Sequence, residues 1–369
     1  MKSRITTACP PLIFAAWLII GTVVWAGDPP TTAPAPVWKS GTHRLTLDGR
    51  ERRFILDVPP GLKPGAPLVM VFHGFTGSAK DVRDQTGFAK VSEKHGFVTV
   101  YAEGTRDAKG KTFFNVGYEF HKDQTVDDVQ FARSLAARLT QDLGLDSRAV
   151  FATGFSNGGD MSFLLGTQRE PFVAAIAPVG GTMMSSWAKG FRPAARIPVL
   201  AVNMRDDKTT LWDGDINNRD GWGAYLGTEA VLSLWVQGLA LERSERVDLT
   251  KSIQLQRWST AADRTEARLY VLQVGGHKWP RNLGDEQEST AEVIWKFFDV
   301  HRPNLPADRR APGVPPSPGQ PSGGGERSGV DCESRPGETV PVIRRAQVPG
   351  VCRAPPDVEI VSASTRTPA

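Results

Sequence analysis

Four short segments, Pro67–Phe72, Ala149–Ala152, Ala174–Val179 and Ile197–Val202, are apolar at almost every position. A strand with one wet face alternates apolar and polar residues, so unbroken runs of this kind suit strands covered on both faces, as in a parallel sheet. Around them lie amphipathic stretches with helical spacing: Ala79–His95, Val126–Leu143, Asn157–Thr167, Ala224–Leu239 and Ser289–His301. Phe97–Tyr101, Ile253–Trp258 and Ala267–Val274 supply further strands, and His43–Leu47 with Arg53–Val58 alternate like an antiparallel pair opening the domain. Strands alternating with helices through right-handed crossovers imply an α/β fold, a mostly parallel, doubly wound sheet with helices on both faces. Such a sheet binds ligands beyond the carboxyl ends of its strands, so the residues just after each strand are where chemistry is sought.

This pattern occupies residues 38–302, one domain with ample chain for a large core. Residues outside it read differently. Lys2 and Arg4 precede an uncharged apolar run, Leu12–Trp25, and Val24-Trp25-Ala26 ends in a small residue, which together read as a secretory signal peptide cleaved after Ala26. The run is shorter than the roughly 20 residues that span a bilayer, so no stable membrane association is expected after cleavage. Residues 27–37 read as a flexible segment. Positions 303–325 hold seven Pro and five Gly, too little apolar surface to offset ordering entropy, so 303–330 reads as a linker. The tail, 331–369, contains Cys332 and Cys352, a candidate disulfide in an exported chain, while Cys9 leaves with the signal.

The formal charge of the whole chain is +4, but without Lys2, Arg4 and everything beyond Arg302 it falls to +1. No basic stripe accompanies the pI of about 9.0, so nucleic acid is not an expected partner. No cluster has metal-ligand spacing and no G-x-G-x-x-G follows a strand, so neither a metal nor another cofactor is implied.

The chemistry gathers after the strands. Gly154-Phe155-Ser156-Asn157-Gly158 follows the apolar run ending at Thr153 and precedes a helical stretch, the strand–turn–helix setting of a nucleophile elbow. Glycines two residues either side of Ser156 relieve the backbone crowding of so sharp a turn. The helix N-terminus favours developing negative charge there. Serine needs a base, and with the chain order nucleophile, acid, histidine only His277 and His301 qualify. His301 lies in the last helix beside Arg302 and reads as a solvated surface residue. His277 follows a strand, on the loop Gly275-Gly276-His277-Lys278-Trp279-Pro280, where a catalytic base belongs. After the strand Val199–Val202, either Asp206 or Asp207 could be the acid, with Asp213 and Asp215 more remote choices. An oxyanion needs two converging amides: Asn157 supplies one, and Phe75, in His73-Gly74-Phe75-Thr76-Gly77, the other. His73 precedes Ser156 and reads as a structural support of that loop. Asp127-Asp128 begins a helix, a favourable charge arrangement with its dipole. Tyr101, Asn115 and Trp279 are candidates for lining the substrate cleft or for packing alone.

Together these residues resemble the polyhydroxybutyrate depolymerase and feruloyl esterase group of the α/β-hydrolase superfamily, over about Leu56–Arg302. Val71-Phe72-His73-Gly74 is similar to the group's oxyanion loop, Thr153–Gly159 to its nucleophile segment, and Gly275–Pro280 to its Gly-Gly-His-x-Trp-Pro motif. Val98–Thr105 resembles the strand and loop that precede its substrate contacts. The resemblance implies an α/β-hydrolase fold and a secreted serine ester hydrolase acting on hydroxycinnamoyl or acetyl esters of polysaccharide, or on polyhydroxyalkanoate. Relatives often show His-Gly-x-x-Asp at the acid segment; aligned on Asn203-Met204-Arg205-Asp206-Asp207, that pattern places the acid at Asp207. The His-Gly is absent here, Phe75 replaces a frequent cysteine, and the core lacks the cysteines of many relatives. Two other classes share these residues: a serine peptidase, which an amide substrate distinguishes, and a noncatalytic glycan-binding protein, which would give an intact triad no role.

Overall fold

A computed structural model describes residues 38–302 except 48, 190, 192–195, 262–265 and 286. The signal segment, the linker and the Cys332–Cys352 pairing lie outside the described residues. In chain order the strands are β1 Gly41–Leu47, β2 Arg50–Asp57, β3 Leu68–Phe72, β4 Val98–Ala102, β5 Thr105–Arg106, β6 Thr112–Phe113, β7 Val150–Phe155, β8 Ala175–Val179, β9 Val199–Met204, β10 Gly214–Asp215, β11 Tyr225–Leu226, β12 Arg243–Asp248, β13 Ile253–Ser259 and β14 Glu266–Leu272. The helices are α1 Ala79–Thr86, α2 Phe88–His95, α3 Asp128–Asp142, α4 Asn157–Gly166, α5 Ser185–Ala188, α6 Thr228–Gly238 and α7 Thr290–Val300.

Ten strands form one sheet in the order β1-β2-β4-β3-β7-β8-β9-β14-β13-β12. The six from β4 to β14 are mutually parallel, and antiparallel strands finish both edges. Apolar runs without alternation are explained by cover on both sides. Along β7, Val150 and Ala152 join Phe131, Met161 and Trp235 from α3, α4 and α6, while Phe151 joins Phe88 from α2 and Phe297 and Phe298 from α7. Full burial of a side chain such as Phe151, whose ring stacks on Phe298 at 4.7 Å, contributes on the order of 2 kcal/mol. From β3 the chain turns to β4 on one side and returns to β7 on the other. The carboxyl ends of β3 and β7 therefore flank the crevice where doubly wound sheets bind ligands.

Five local expectations are corrected. The stretch 79–95 is two helices, because Gly87 takes φ 79° and serves as C-cap of α1 and N-cap of α2. The helix expected from Ala224 begins at Thr228, since Tyr225 and Leu226 pair with Asp215 and Gly214. The strand β12 is absent from the sequence reading: its six residues, RSERVD, are all exposed, and an edge strand with charged side chains carries no apolar pattern to find. Asp128 is buried in an ion pair with Arg52 at 2.6 Å, so it is more than a dipole partner. His301 is not solvated: its side chain is 4% exposed, with Nδ1 2.7 Å from the Phe297 carbonyl and Nε2 3.5 Å from Glu266.

Candidate active site

The turn between β7 and α4 holds Ser156 at φ 55° and ψ −119°, a backbone state that costs a non-glycine residue about 1–3 kcal/mol. The surroundings enforce it. Ser156 donates its amide to the Val179 carbonyl at 2.9 Å and accepts from the Asp160 amide at 2.9 Å. The flanking glycines are required by backbone contact. A Cβ on Gly154 would lie 2.5 Å from the Gly158 oxygen, and one on Gly158 would lie 2.1 Å from the Phe72 oxygen. The close approach of β3, β7 and α4 that exposes the serine thus leaves no room for a methyl group.

The loop after β14 brings His277 to this serine, with Nε2 2.8 Å from Ser156 Oγ. Its Nδ1 lies 2.7 Å from Asp207 Oδ2. A carboxylate only accepts, so Nδ1 carries the ring proton and Nε2 is free to accept from the serine hydroxyl. Asp207 is buried, and its other oxygen accepts from the amides of Thr209 at 2.8 Å and Thr210 at 2.9 Å. Asp206 points elsewhere: its carboxylate accepts from the amides of Gly275 at 3.2 Å and Gly276 at 2.8 Å. Those amide bonds, that of Gly276 foremost, hold its carboxyl below the usual range. One aspartate meets the imidazole and its neighbour ties down the loop that carries it. The other choices, Asp213 and Asp215, fall outside: Asp213 is exposed, and Asp215 is buried, accepting from the Asp220 amide at 3.0 Å.

Beyond β3, Gly74 packs on the serine, since a Cβ placed there would be 3.3 Å from Ser156 Cβ. Among the described residues neither the Phe75 nor the Asn157 amide is hydrogen-bonded to another backbone group. His73 is 1% exposed, donates Nδ1–H to the Gly74 carbonyl at 2.7 Å and accepts at Nε2 from the Gly104 amide at 2.9 Å. Burial pushes its pKa down, so it stays neutral as a brace.

The three cleft candidates differ in placement. Tyr101 is wholly buried, inside the core layer that contains Phe88 and Phe97. Asn115 spends its side-chain NH2 on the carbonyls of Gln124 at 3.3 Å and Val126 at 3.0 Å, and its amide on Asp128 at 2.7 Å. Trp279 packs edge-on against Phe88 at 6.5 Å. Tyr101 is thus corrected to a core residue, while Asn115 and Trp279 are half-buried.

Sequence reasoning misses other participants because their partners are distant in the chain. The Asn157 side chain clamps Phe114, accepting from its amide at 2.8 Å and donating to its carbonyl at 3.0 Å. Asp160, one helical turn past Ser156, is buried and accepts from Tyr118 Oη at 2.7 Å and the Thr182 amide at 2.7 Å. Desolvation pushes its carboxyl up to about 7. In the sequence Asp160 stands out only as the one charged residue of α4. Two cavities of about 660 Å³ lie away from Ser156, one lined by Arg257, Glu266 and His301, the other by Asp57, Arg83 and Glu103. Among the described residues no group of three or more His, Cys, Asp or Glu could hold a metal ion, and no helix is long and apolar enough to cross a membrane.

The sequence model of the prolyl oligopeptidase family matches residues 86–195, which include Ser156 but stop short of Asp207 and His277. NocK of Nocardia uniformis subsp. tsuyamanensis, named as an esterase, is 33% identical over 47% of this chain and 50% of its own length. Feruloyl esterase B of Piromyces equi is 29% identical over 45% of this chain and 31% of its own. Poly(3-hydroxyalkanoate) depolymerase C of Paucimonas lemoignei is 24% identical over 63% and 53% respectively. The chain thus spans about half or less of the length of NocK and feruloyl esterase B. Acetyl xylan esterase from Aspergillus awamori shares the fold, with a TM-score of 0.53 and 14% identity over 70% of this chain and 99% of that one.

Proposed function

We propose, from the premise that this chain is an α/β-hydrolase related to feruloyl esterases and a poly(3-hydroxyalkanoate) depolymerase, that it is a secreted serine carboxylic-ester hydrolase. What supports the proposal above all is the contact chain Ser156 Oγ, His277 and Asp207, with steps of 2.8 and 2.7 Å. In the proposed reaction His277 Nε2 takes the hydroxyl proton as Oγ attacks the ester carbonyl. The amides of Phe75 and Asn157 stabilise the oxyanion. His277 then protonates the departing alcohol, and a water, deprotonated by the same nitrogen, releases the acid and restores the serine. Asp207 keeps the proton on Nδ1 and balances the transient imidazolium.

The substrate classes proposed are hydroxycinnamoyl or acetyl esters of polysaccharide and hydroxyalkanoate polyesters. Assaying methyl ferulate, acetylated xylan and a hydroxybutyrate oligomer side by side ranks them. The expected result is hydrolysis of at least one, and turnover of none would refute the esterase reading. The match to the prolyl oligopeptidase family favours one second reading, a serine peptidase, which uses the same three residues. Faster cleavage of a peptide anilide than of its matched ester would establish it. We also propose residues 38–302 as the catalytic domain, with 1–26 removed on export. Edman sequencing of the exported protein should then start at Gly27, and a start at Met1 would contradict removal.

A further inference from the structure

Ser156 and Asp207 stand on strands that do not touch. In the sheet β8 lies between β7 and β9, so the turn at Ser156 and the segment 205–210 start two strand spacings, roughly 10 Å, apart. Among the described residues no hydrogen bond joins that turn to that segment directly; His277 bridges them at the reacting atoms. Behind the histidine the gap is filled by Gly180-Gly181-Thr182, the three residues after β8. On the nucleophile's side, Asp160, one helical turn past Ser156, accepts from the Thr182 amide at 2.7 Å. The backbones of Gly159 and Gly181 touch there, since a Cβ on Gly181 would lie 2.6 Å from the Gly159 carbonyl carbon. On the acid's side, buried Asn203 donates its side-chain NH2 to the Gly181 carbonyl at 3.1 Å, and Thr210 donates its hydroxyl to the Gly180 carbonyl at 2.9 Å. Gly180, at φ 58°, fits between the two sides: a Cβ on it would lie 3.1 Å from the Phe155 ring and 3.7 Å from Met204 Cε.

Thr210 is the residue that meets both this strut and the acid. Its hydroxyl is on Gly180, and its amide donates to Asp207 Oδ1 at 2.9 Å. Thr209 gives the same oxygen its amide at 2.8 Å, but its side chain is exposed. We propose that Thr210 is a positioning residue for the triad, its hydroxyl fixing the loop of Asp207 to the same three residues that hold the turn of Ser156. The proposal rests on the serine-hydrolase reading and adds to it what keeps the acid in register with the nucleophile. A hydroxyl that only satisfies a carbonyl would change stability. One that aims a carboxylate changes the reactivity of Ser156, and does so only while the carboxylate is present.

The test is a double-mutant cycle on the full chain, read as the rate constant for labelling of Ser156 by a fluorophosphonate and followed by mass spectrometry. The amplitude of labelling counts competent molecules and the rate constant describes each of them, so partial misfolding of a variant does not enter. Thr210→Val, which keeps the shape and removes the hydroxyl, should slow labelling about tenfold, the scale of a displacement well under 1 Å. Thr210→Ser, which keeps the hydroxyl, should stay within about threefold of wild type. In an Asp207→Ala background, Thr210→Val should change the rate less than about twofold, because the group it positions is gone. An unchanged rate for Thr210→Val overturns the proposal, as does an equal loss in Thr210→Ser. The same tenfold loss in the Asp207→Ala background also overturns it, by showing that Thr210 acts apart from the acid. A wild type that is not labelled at all would instead overturn the hydrolase reading, and the positioning role with it.

Discussion

Asp206 and Asp207 stand side by side in the chain and hold one loop from two directions. Asp207 Oδ2 meets His277 Nδ1 at 2.7 Å, while Asp206 Oδ1 meets the Gly276 amide at 2.8 Å. The first contact sets the tautomer of the imidazole. The second sets where the imidazole is. The two substitutions should separate these roles. We predict that Asp207→Asn lowers kcat about 10³-fold or more, as expected when the wrong tautomer is held. Asp206→Asn, which weakens two amide contacts to a half-buried carboxylate, should lower kcat/KM only about tenfold. Steady-state kinetics on p-nitrophenyl acetate checks both, and equal losses would contradict the division of labour.

Gly158 has no room to change. Its missing Cβ would fall 2.1 Å from the Phe72 carbonyl oxygen, and the listener on the other side is backbone, which cannot swing away as a side chain could. Gly158→Ala is predicted to destabilise the fold by about 3 kcal/mol or more. Urea unfolding followed by circular dichroism measures it, and a loss below about 1 kcal/mol would show that β3 and α4 can separate at little cost.

Arg52 and Asp128 form a buried ion pair at 2.6 Å, and Asp128 also accepts from the Asn115 amide at 2.7 Å. The Arg52 guanidinium lies 3.5 Å from the Phe131 ring centroid, and Arg52→Met keeps aliphatic volume there but strands a buried carboxylate. The expected cost is about 3–5 kcal/mol at neutral pH, and Arg52→Met with Asp128→Asn should recover part of it. Thermal and urea unfolding of the single and double variants decides this, and strict additivity would contradict the pairing.

Asp160 gives a pH signature. Burial raises its carboxyl from 3.8 to about 7, so the native state keeps a proton that the unfolded chain has already released over that range. The native state binds more protons there, and this group's contribution to stability is lost as pH rises through the folded value. Asp160→Asn keeps the shape and removes the titration. Relative to wild type, the variant should gain about 1 kcal/mol or more between about pH 5 and pH 7.5. Urea unfolding at the two pH values checks it, and a pH-independent difference would contradict a buried, proton-holding Asp160.

What is legible in the sequence is what is local. The runs of β3, β7, β8 and β9 declare burial on both faces because the solvent side of an ordinary strand is missing from them. The turn at Ser156 is legible because its glycines answer a crowding that arises within five residues. Gly87 divides a helix that hydrophobic spacing alone runs together, since α1 and α2 present their apolar faces to the same core layer. Asp206 and Asp207 cannot be ranked from composition or spacing, because the difference between them is which way a side chain leaves one turn. The Tyr118–Asp160 bond and the contact of Phe75 with Trp222 join residues 42 and 147 positions apart, and no local pattern encodes such a meeting.

The proposed reaction stands on Ser156 as a nucleophile activated by His277. Its most direct test is intact-protein and peptide mass spectrometry after exposure to a fluorophosphonate, which reacts only with an activated serine. One adduct per wild-type molecule is expected, located on Ser156, with none on Ser156→Ala and a strongly slowed reaction on His277→Ala. An adduct on another residue, or full labelling of Ser156→Ala, would contradict it.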